Sequence, residues 1–242
     1  GVSQNVFNPH QESPNAIYVV QAYVSVLPAS NFQLFDTERV EVLRGPQGTL
    51  YGSGSLGGTI RVLPNMPDFD GVSGQLKLTG SSTESGGFSK AVNGWVNLPL
   101  SDKAAVRIVG YGIRDDGFLD DNYGGNGSHT GKNINDEKTY GGRLTLRVQP
   151  TEKLDVVLTG IYQKGEFGAF EEVTDNFPGL VIQQSADQPF EDEYKIANLK
   201  VVYDFDFATL TSATSYFDRS RYLENDIDYF LEALAGIPRG IS

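Results

Sequence analysis

The sequence predicts an all-β membrane protein: a glycine-rich β region over the first seventy or so residues, then about seven antiparallel strands of a transmembrane barrel wall. Three observations predict it. From Gly74 onward, apolar and polar residues alternate at period two in segments of about ten residues, the length a tilted strand needs to cross a bilayer. Short and longer connections take turns between these segments, the asymmetry of barrels with short turns on one side and long loops on the other. In the three clearest segments, the apolar face carries no charge in its central positions. An Arg or Lys there would cost roughly 2–4 kcal/mol at the bilayer midplane.

Taken in order, residues 16–20 and 23–27 are short runs of β-forming residues, and 39–43 alternates strictly and reads as a strand. The glycine-rich stretch 44–58 follows, then a strand over 59–63 that Pro64-Asn65-Met66-Pro67 breaks. The wall segments are 74–81, 90–99, 104–116, 139–149, 154–164, 194–205 and 207–218. In 139–149, Tyr140, Gly142, Leu144, Leu146 and Val148 share one face, opposite Arg143, Thr145, Arg147 and Gln149. In 154–164, Leu154, Val156, Leu158, Gly160 and Tyr162 lie opposite Asp155, Thr159 and Gln163, and in 194–205, Ala197, Leu199, Val201, Tyr203 and Phe205 lie opposite Asn198, Lys200 and Asp204. Tight connections fall at 101–103, 150–153 and 204–206, an intermediate one at 82–89, and long ones at 117–138, 165–193 and from 219 onward. Tyr140, Tyr162, Tyr194, Phe205, Phe207, Tyr216 and Phe217 near strand ends suit an interfacial girdle.

Composition removes several function classes. Lys+Arg total 19 against 31 Asp+Glu, a net charge of -12, with no basic footprint for nucleic acid. Cysteine is absent, which excludes a disulfide scaffold, a thiolate metal site and a cysteine nucleophile. Two lone histidines, His10 and His129, argue against a histidine metal site. No apolar run is long enough for a transmembrane helix, and the first residues show neither a basic region nor an apolar core of a signal peptide. That leaves a cytosolic protein or a mature or truncated piece of an exported one. Gly52-Ser53-Gly54-Ser55-Leu56-Gly57 fits a dinucleotide pattern, but a β-branched run follows where a helix must start, and Lys77 stands where the ribose acid belongs. Asp115-Asp116, Asp120-Asp121 and Asp226/Asp228 lack calcium-loop spacing and read as solvated loops. No nucleophile elbow accompanies the Ser, His and Asp residues, so no catalytic residue, metal site or cofactor is expected.

Phe35-Asp36-Thr37-Glu38-Arg39-Val40-Glu41-Val42-Leu43-Arg44-Gly45-Pro46-Gln47-Gly48-Thr49-Leu50-Tyr51-Gly52, followed by Gly57-Gly58-Thr59-Ile60-Arg61-Val62, closely resembles the plug domain of TonB-dependent outer-membrane receptors. Asn97-Leu98-Pro99-Leu100 and Arg114-Asp115-Asp116-Gly117-Phe118 are similar to the opening of that family's barrel. The resemblance implies a C-terminal part of a plug, followed by about seven antiparallel strands of an incomplete 22-stranded barrel. It implies a partial plug domain over 1–73 and the N-terminal portion of the barrel over 74–242. The plug motif maps to Glu41, Arg44, Gly45, Pro46, Gly48, Tyr51, Gly52, Gly54, Gly57 and Gly58. Its glycines would let plug loops turn tightly against the wall, and Arg44 would pair with barrel glutamates.

Nothing before Asn15 resembles the early plug strands, no TonB box is recognisable, and seven strands do not close a barrel. The resemblance thus implies a fragment that starts within the plug and ends in the fourth outside loop. The implied function is energised uptake of a scarce bulky solute, such as an iron–siderophore, across the outer membrane of a Gram-negative bacterium, by ligand binding and plug gating. Implied partners are TonB, outer-membrane lipid and a small-molecule ligand such as a metal chelate, with no nucleic acid. Ligand contacts are expected in 117–136, 165–191 and 219–242, with Tyr123, Phe167, Phe170 and Tyr229 as stacking residues. Two other readings use the same strands: a passive outer-membrane channel, which has no use for the plug motif, and a soluble extracellular β-sandwich or adhesin.

Overall fold

A computed structural model describes residues 15–24, 33–52, 54–123, 129–169, 180–182 and 187–224. The first strands build a small mixed sheet. β1 (Asn15–Val19) and β2 (Ala22–Val24) form a hairpin. β3 (Thr37–Arg44) runs into one helical turn, α1 (Gly48–Tyr51), and β4 (Gly58–Pro64) returns antiparallel to β3 and parallel to β1. The order is β2-β1-β4-β3. Residue 20, expected at the end of the first strand, lies in the turn with φ 60. The second strand ends at Val24, and 25–27 lie outside the described residues.

The chain then forms β5 (Ser73–Ser82), β6 (Phe88–Ser101), β7 (Ala104–Asp115), β8 (Asp120–Tyr123), β9 (His129–Gly131), β10 (Glu137–Thr151), β11 (Leu154–Phe167), β12 (Val181–Ile182), β13 (Phe190–Asp204) and β14 (Thr209–Leu223). Seven of these make one antiparallel sheet, ordered β14-β13-β11-β10-β7-β6-β5, in which each strand lies beside its predecessor. β8, β9 and β12 form a separate three-stranded sheet within the long connections, which the alternation did not predict. Proline shapes the tight ends: the β6–β7 and β10–β11 ladders shift register between Pro99 and Ser101 and between Val148 and Thr151, beside prolines that have no N–H to donate.

Side chains divide by parity. The outer face of β10 and β11 carries Tyr140, Leu144 and Leu146, then Val156, Leu158 and Tyr162, and β5, β6, β7, β13 and β14 add Leu76, Leu78, Val92, Ile108, Leu199, Leu210 and Tyr216. Most of these are exposed, Leu144 at 53% and Leu158 at 49%. A contiguous apolar surface across seven strands is far larger than water tolerates on a monomer, and it suits hydrocarbon. The inner face carries Arg107, Arg143, Arg147, Asp155, Gln163 and Asn198, and the small sheet lies on it.

Several expected boundaries move. The last segment begins at Thr209, because Asp206 turns with φ 69 and Phe205 and Phe207 belong to the connection. The long connections are shorter than read: β11 continues through Gly165 to Phe167 and β13 starts at Phe190, with Phe167 paired to Phe190. β14 likewise carries Arg219 and Arg221 within the wall. Tyr194 and Phe217 do not belong to the girdle. Their parity is the inner one, and both pack against the small sheet.

Placing a charge on the outer face tests this division. Leu144→Arg is expected to lower the stability of the protein folded in lipid vesicles by about 2–4 kcal/mol, read from urea titration. An unchanged midpoint would contradict an outer face in hydrocarbon.

Candidate functional site

Buried charge gathers where the small sheet meets the wall, and Asp36, just before β3, is its centre. Its backbone takes φ 59, a left-handed conformation that Asp adopts more readily than most residues. Arg107 of β7 donates from Nε to Asp36 Oδ2 at 2.8 Å and from Nη2 to Oδ1 at 2.5 Å. Arg143 of β10 donates from Nη2 to Oδ2 and, at 3.1 Å, to the Asp36 carbonyl. Asn65 completes the set, donating from Nδ2 to Oδ1 at 2.9 Å and from its backbone N–H to the Asp36 carbonyl at 3.1 Å. The Asp36 side chain is 1% exposed, those of Arg107 and Arg143 6% and 9%. Above Arg107 lies the Trp95 ring, 3.8 Å from guanidinium carbon to centroid, whose Nε1 donates to Gln75.

Charged groups this deep in a protein require partners. The wall supplies two cations and the small sheet one anion, so neither half is satisfied alone. A second polar tie lies beside the first. Gln163 Oε1 accepts from Tyr111 Oη at 2.8 Å, from Tyr194 Oη at 3.0 Å and from the Gln33 backbone N–H at 3.4 Å. A cavity with about 30 Å³ of room for water separates the ties, lined among others by Gln33, Thr37, Tyr111, Arg143 and Tyr194. Apolar packing closes the other side, where Val19, Val20, Ala22, Val24 and Val62 meet Tyr194 and Ile196 of β13. The segment leading into β5 is held by fully buried Asn97, whose Nδ2 donates to the Asp68 and Gly71 carbonyls, both at 3.1 Å.

The glycine stretch forms a closed loop over β3 and β4. Gly45 N–H donates to the Gly57 carbonyl at 3.2 Å and Gln47 N–H to that of Ser55 at 2.8 Å. Gly58 has φ 155, and a Cβ there would stand 2.6 Å from the Leu43 carbonyl oxygen, so glycine is required. Gly54 lies against the Tyr23 hydroxyl, Gly52 has open space but φ 77, and Gly48 meets open space. Tyr51 packs against Tyr18 at 5.4 Å between ring centroids, and Tyr18 Oη donates to the Tyr51 carbonyl at 2.8 Å. Glu41 accepts from Arg39 at 2.8 Å and Arg61 at 2.6 Å. The Arg39 hydrogen bond foremost, then the Arg61 charge, holds its carboxyl below the usual range. That exposed contribution is present above the ordinary carboxylate pKa and is lost as pH falls through the lowered one. Pro46 and Arg44 are exposed. Arg44 makes no ion pair among the described residues, so the charged tie between sheet and wall seen here runs through Asp36.

Two of the expected ligand residues, Tyr123 and Phe167, lie elsewhere, at the end with the long connections. Tyr123 ends β8, paired in register with His129. Phe167 ends β11, where its ring lies 5.3 Å from that of Phe190. Phe170 and Tyr229 fall outside the described residues. Asp116 takes a hydrogen bond from Arg114, and Asp120 one from the Asn133 backbone. Among the described residues, no three His, Cys, Asp or Glu side chains cluster as a metal site would need.

The ion pair at Asp36 joins residues 71 and 107 positions apart, and sequence reasoning missed it. The available signal was two arginines midway along strands on the face opposite the apolar one, each in need of an anion.

Comparison with known proteins agrees with this architecture. The model of the TonB-dependent Receptor Plug Domain family matches residues 10–59. The chain is 36% identical over 90 residues to an iron-regulated outer membrane virulence protein of Vibrio cholerae, covering 36% of this chain and 14% of that protein. It is 31% identical over 114 residues to the ferric enterobactin receptor PirA of Pseudomonas aeruginosa, covering 46% and 14%. The crystal structure of the ferric yersiniabactin uptake receptor FyuA of Yersinia pestis superposes with a TM-score of 0.63 at 20% identity, covering 93% of this chain and 34% of that one. This last likeness is one of fold. The chain therefore spans about a seventh of the length of these curated relatives.

Removing the shared anion should strand two buried cations. Asp36→Ala is expected to cost about 3–5 kcal/mol, measured by urea titration of Trp95 fluorescence, the single tryptophan. The triple change Asp36→Leu, Arg107→Met, Arg143→Met should restore most of it. Equal loss in both variants would contradict a charge-based tie. Gly58→Ala should lower the same midpoint, and Gly48→Ala should leave it within about 0.5 kcal/mol.

Proposed function

Because the chain belongs to the TonB-dependent outer-membrane receptors, we propose that the protein takes up an iron–siderophore complex across the outer membrane by energised gating of its plug. Family membership makes it a receptor and not an enzyme. The observation that carries the reading is the junction at Asp36: a small domain, rich in turn-forming glycine, is tied to the polar face of a wall whose other face is apolar. A passive channel would have no use for such a seat. The ligand class rests on the relatives, of which one is named for ferric enterobactin and another is named as iron-regulated.

In this reading, residues 1–73 act as the plug and 74–242 as wall. Ligand docks on the side of the long connections, where Tyr123, Phe167, Phe170 and Tyr229 stack against it, and the Phe167–Phe190 pair offers a preformed aromatic surface there. Pull from TonB then loosens the plug. The polar ties at Asp36 and Gln163 and the cavity between them suit a contact that opens without unfolding the wall, because water can replace each hydrogen bond as it breaks. Arg44 pairs with glutamates of the wall in the intact receptor.

Uptake of radiolabelled ferric siderophores by cells that express the protein tests the proposal. Transport should fall to background when TonB is deleted. Uptake that persists without TonB would refute energised gating. Alanine substitution of Tyr123, Phe167, Phe170 and Tyr229 together should weaken ligand binding tenfold or more, at about 1 kcal/mol for each aromatic contact. Unchanged binding would remove them from the site.

A further inference from the structure

The buried charges between the small sheet and the wall do not balance. Asp36 brings one negative charge, Arg107 and Arg143 two positive ones. Among the described residues, neither arginine meets another carboxylate. Other pairs on the inner face are matched one to one, Arg147 with Asp155 at 3.0 Å and Arg219 with Asp192 at 2.5 Å. Residues 25–32, which precede Gln33 in the chain, contain no Asp or Glu. One positive charge is left over at a depth where an uncompensated ion is costly.

The excess lies beside a space. Arg143 Nη2 is engaged by Asp36, but Arg143 Nε is buried and has no hydrogen-bond partner. Arg143 lines the cavity between the two ties and is the one charged residue among those that line it. Hydroxyl groups of Thr37 and Tyr111 line the same space. Gln163 Oε1 has two lone pairs but receives three donors, Tyr111 Oη at 2.8 Å, Tyr194 Oη at 3.0 Å and the Gln33 N–H at 3.4 Å. The Tyr111 hydrogen can therefore turn to a guest while Gln163 keeps two donors. The room for water is about 30 Å³, where roughly 10–15 Å³ holds one water molecule. A monatomic ion only slightly larger than water fits such a space.

We propose that this cavity binds a halide ion, such as chloride, between Arg143 Nε and the Tyr111 hydroxyl. A halide is the occupant in preference to water because the lining presents an unpaired guanidinium donor and an unbalanced positive charge, and an anion answers both. The bound ion makes the junction neutral without a further carboxylate from either half. Because it binds the folded junction, chloride in the medium stabilises the seat of the small sheet on the wall.

The test uses the intact receptor purified in detergent, crystallised in bromide and melted in chloride or gluconate. Anomalous scattering at the bromine edge should give a peak in the cavity beside Arg143 Nε. At equal ionic strength, the wild-type melting midpoint should rise with chloride to a plateau and stay flat in gluconate, which is too large for the site. Arg143→Met leaves Asp36 and Arg107 matched one to one, so its midpoint should no longer respond to chloride. Tyr111→Phe removes one donor and keeps the ring, and the chloride concentration for half the rise should increase about tenfold. A cavity that holds water and gives no anomalous peak would overturn the proposal. So would a wild-type midpoint that is the same in chloride and gluconate, or a chloride response that both variants retain in full.

Discussion

A strand that crosses hydrocarbon must pair every backbone N–H and C=O within the sheet, and its side chains then alternate between two media. Much of this structure follows from that constraint. The outer parity of β10 accepts Leu144, Leu146 and Val148, none of which makes a polar demand within the membrane, with Tyr140 towards its end. The inner parity is where polar groups accumulate, and burial there calls for a counter-charge for each charged group. Arg107 and Arg143 find theirs in a residue that belongs to another part of the chain, so the wall's own chemistry calls for an occupant of its lumen. Asn97 and Gln163 repeat the logic with uncharged groups.

The strands were legible in the sequence because alternation is local: ten residues carry both faces, and the seven wall segments match seven strands of the sheet. Contacts between distant residues were not. Asp36 appeared only as part of a motif, since nothing near it in sequence reveals two arginines far along the chain. Tyr194 shows how a propensity argument goes astray: a tyrosine near a strand end fits an interfacial girdle, but its parity places it against Val24 and Val62. Boundaries moved where a turn depended on one conformation, as at Asp206 and Val20, both with positive φ. The three-stranded sheet of β8, β9 and β12 was hidden because short strands in acidic loops lack a period of their own.

The glycine motif predicts conformational freedom, and positive φ at Gly45, Gly52 and Gly58 agrees with it. Gly58 is held by contact with the Leu43 carbonyl, Gly54 by Tyr23, while Gly48 meets no neighbour that would exclude a side chain. The motif is thus a loop shaped by positive φ at a few glycines and by a few close approaches. It joins β3, which starts beside Asp36, and β4, which lies between β3 and β1. β4 thus joins β1 to the strand that starts at the Asp36 junction.

One face of the wall thus meets lipid and the other meets the small sheet. Absence of cysteine makes a single-cysteine scan of β10 from residue 140 to 148 possible without background. Spin labels in the receptor reconstituted into vesicles would be read for collision with oxygen, which concentrates in lipid, and with a water-soluble nickel chelate. High oxygen collision is expected at 142, 144, 146 and 148, and low collision with both agents at 141, 143, 145 and 147. A scan without period two, or chelate collision at 142 to 148 on the even positions, would show that this face does not meet lipid.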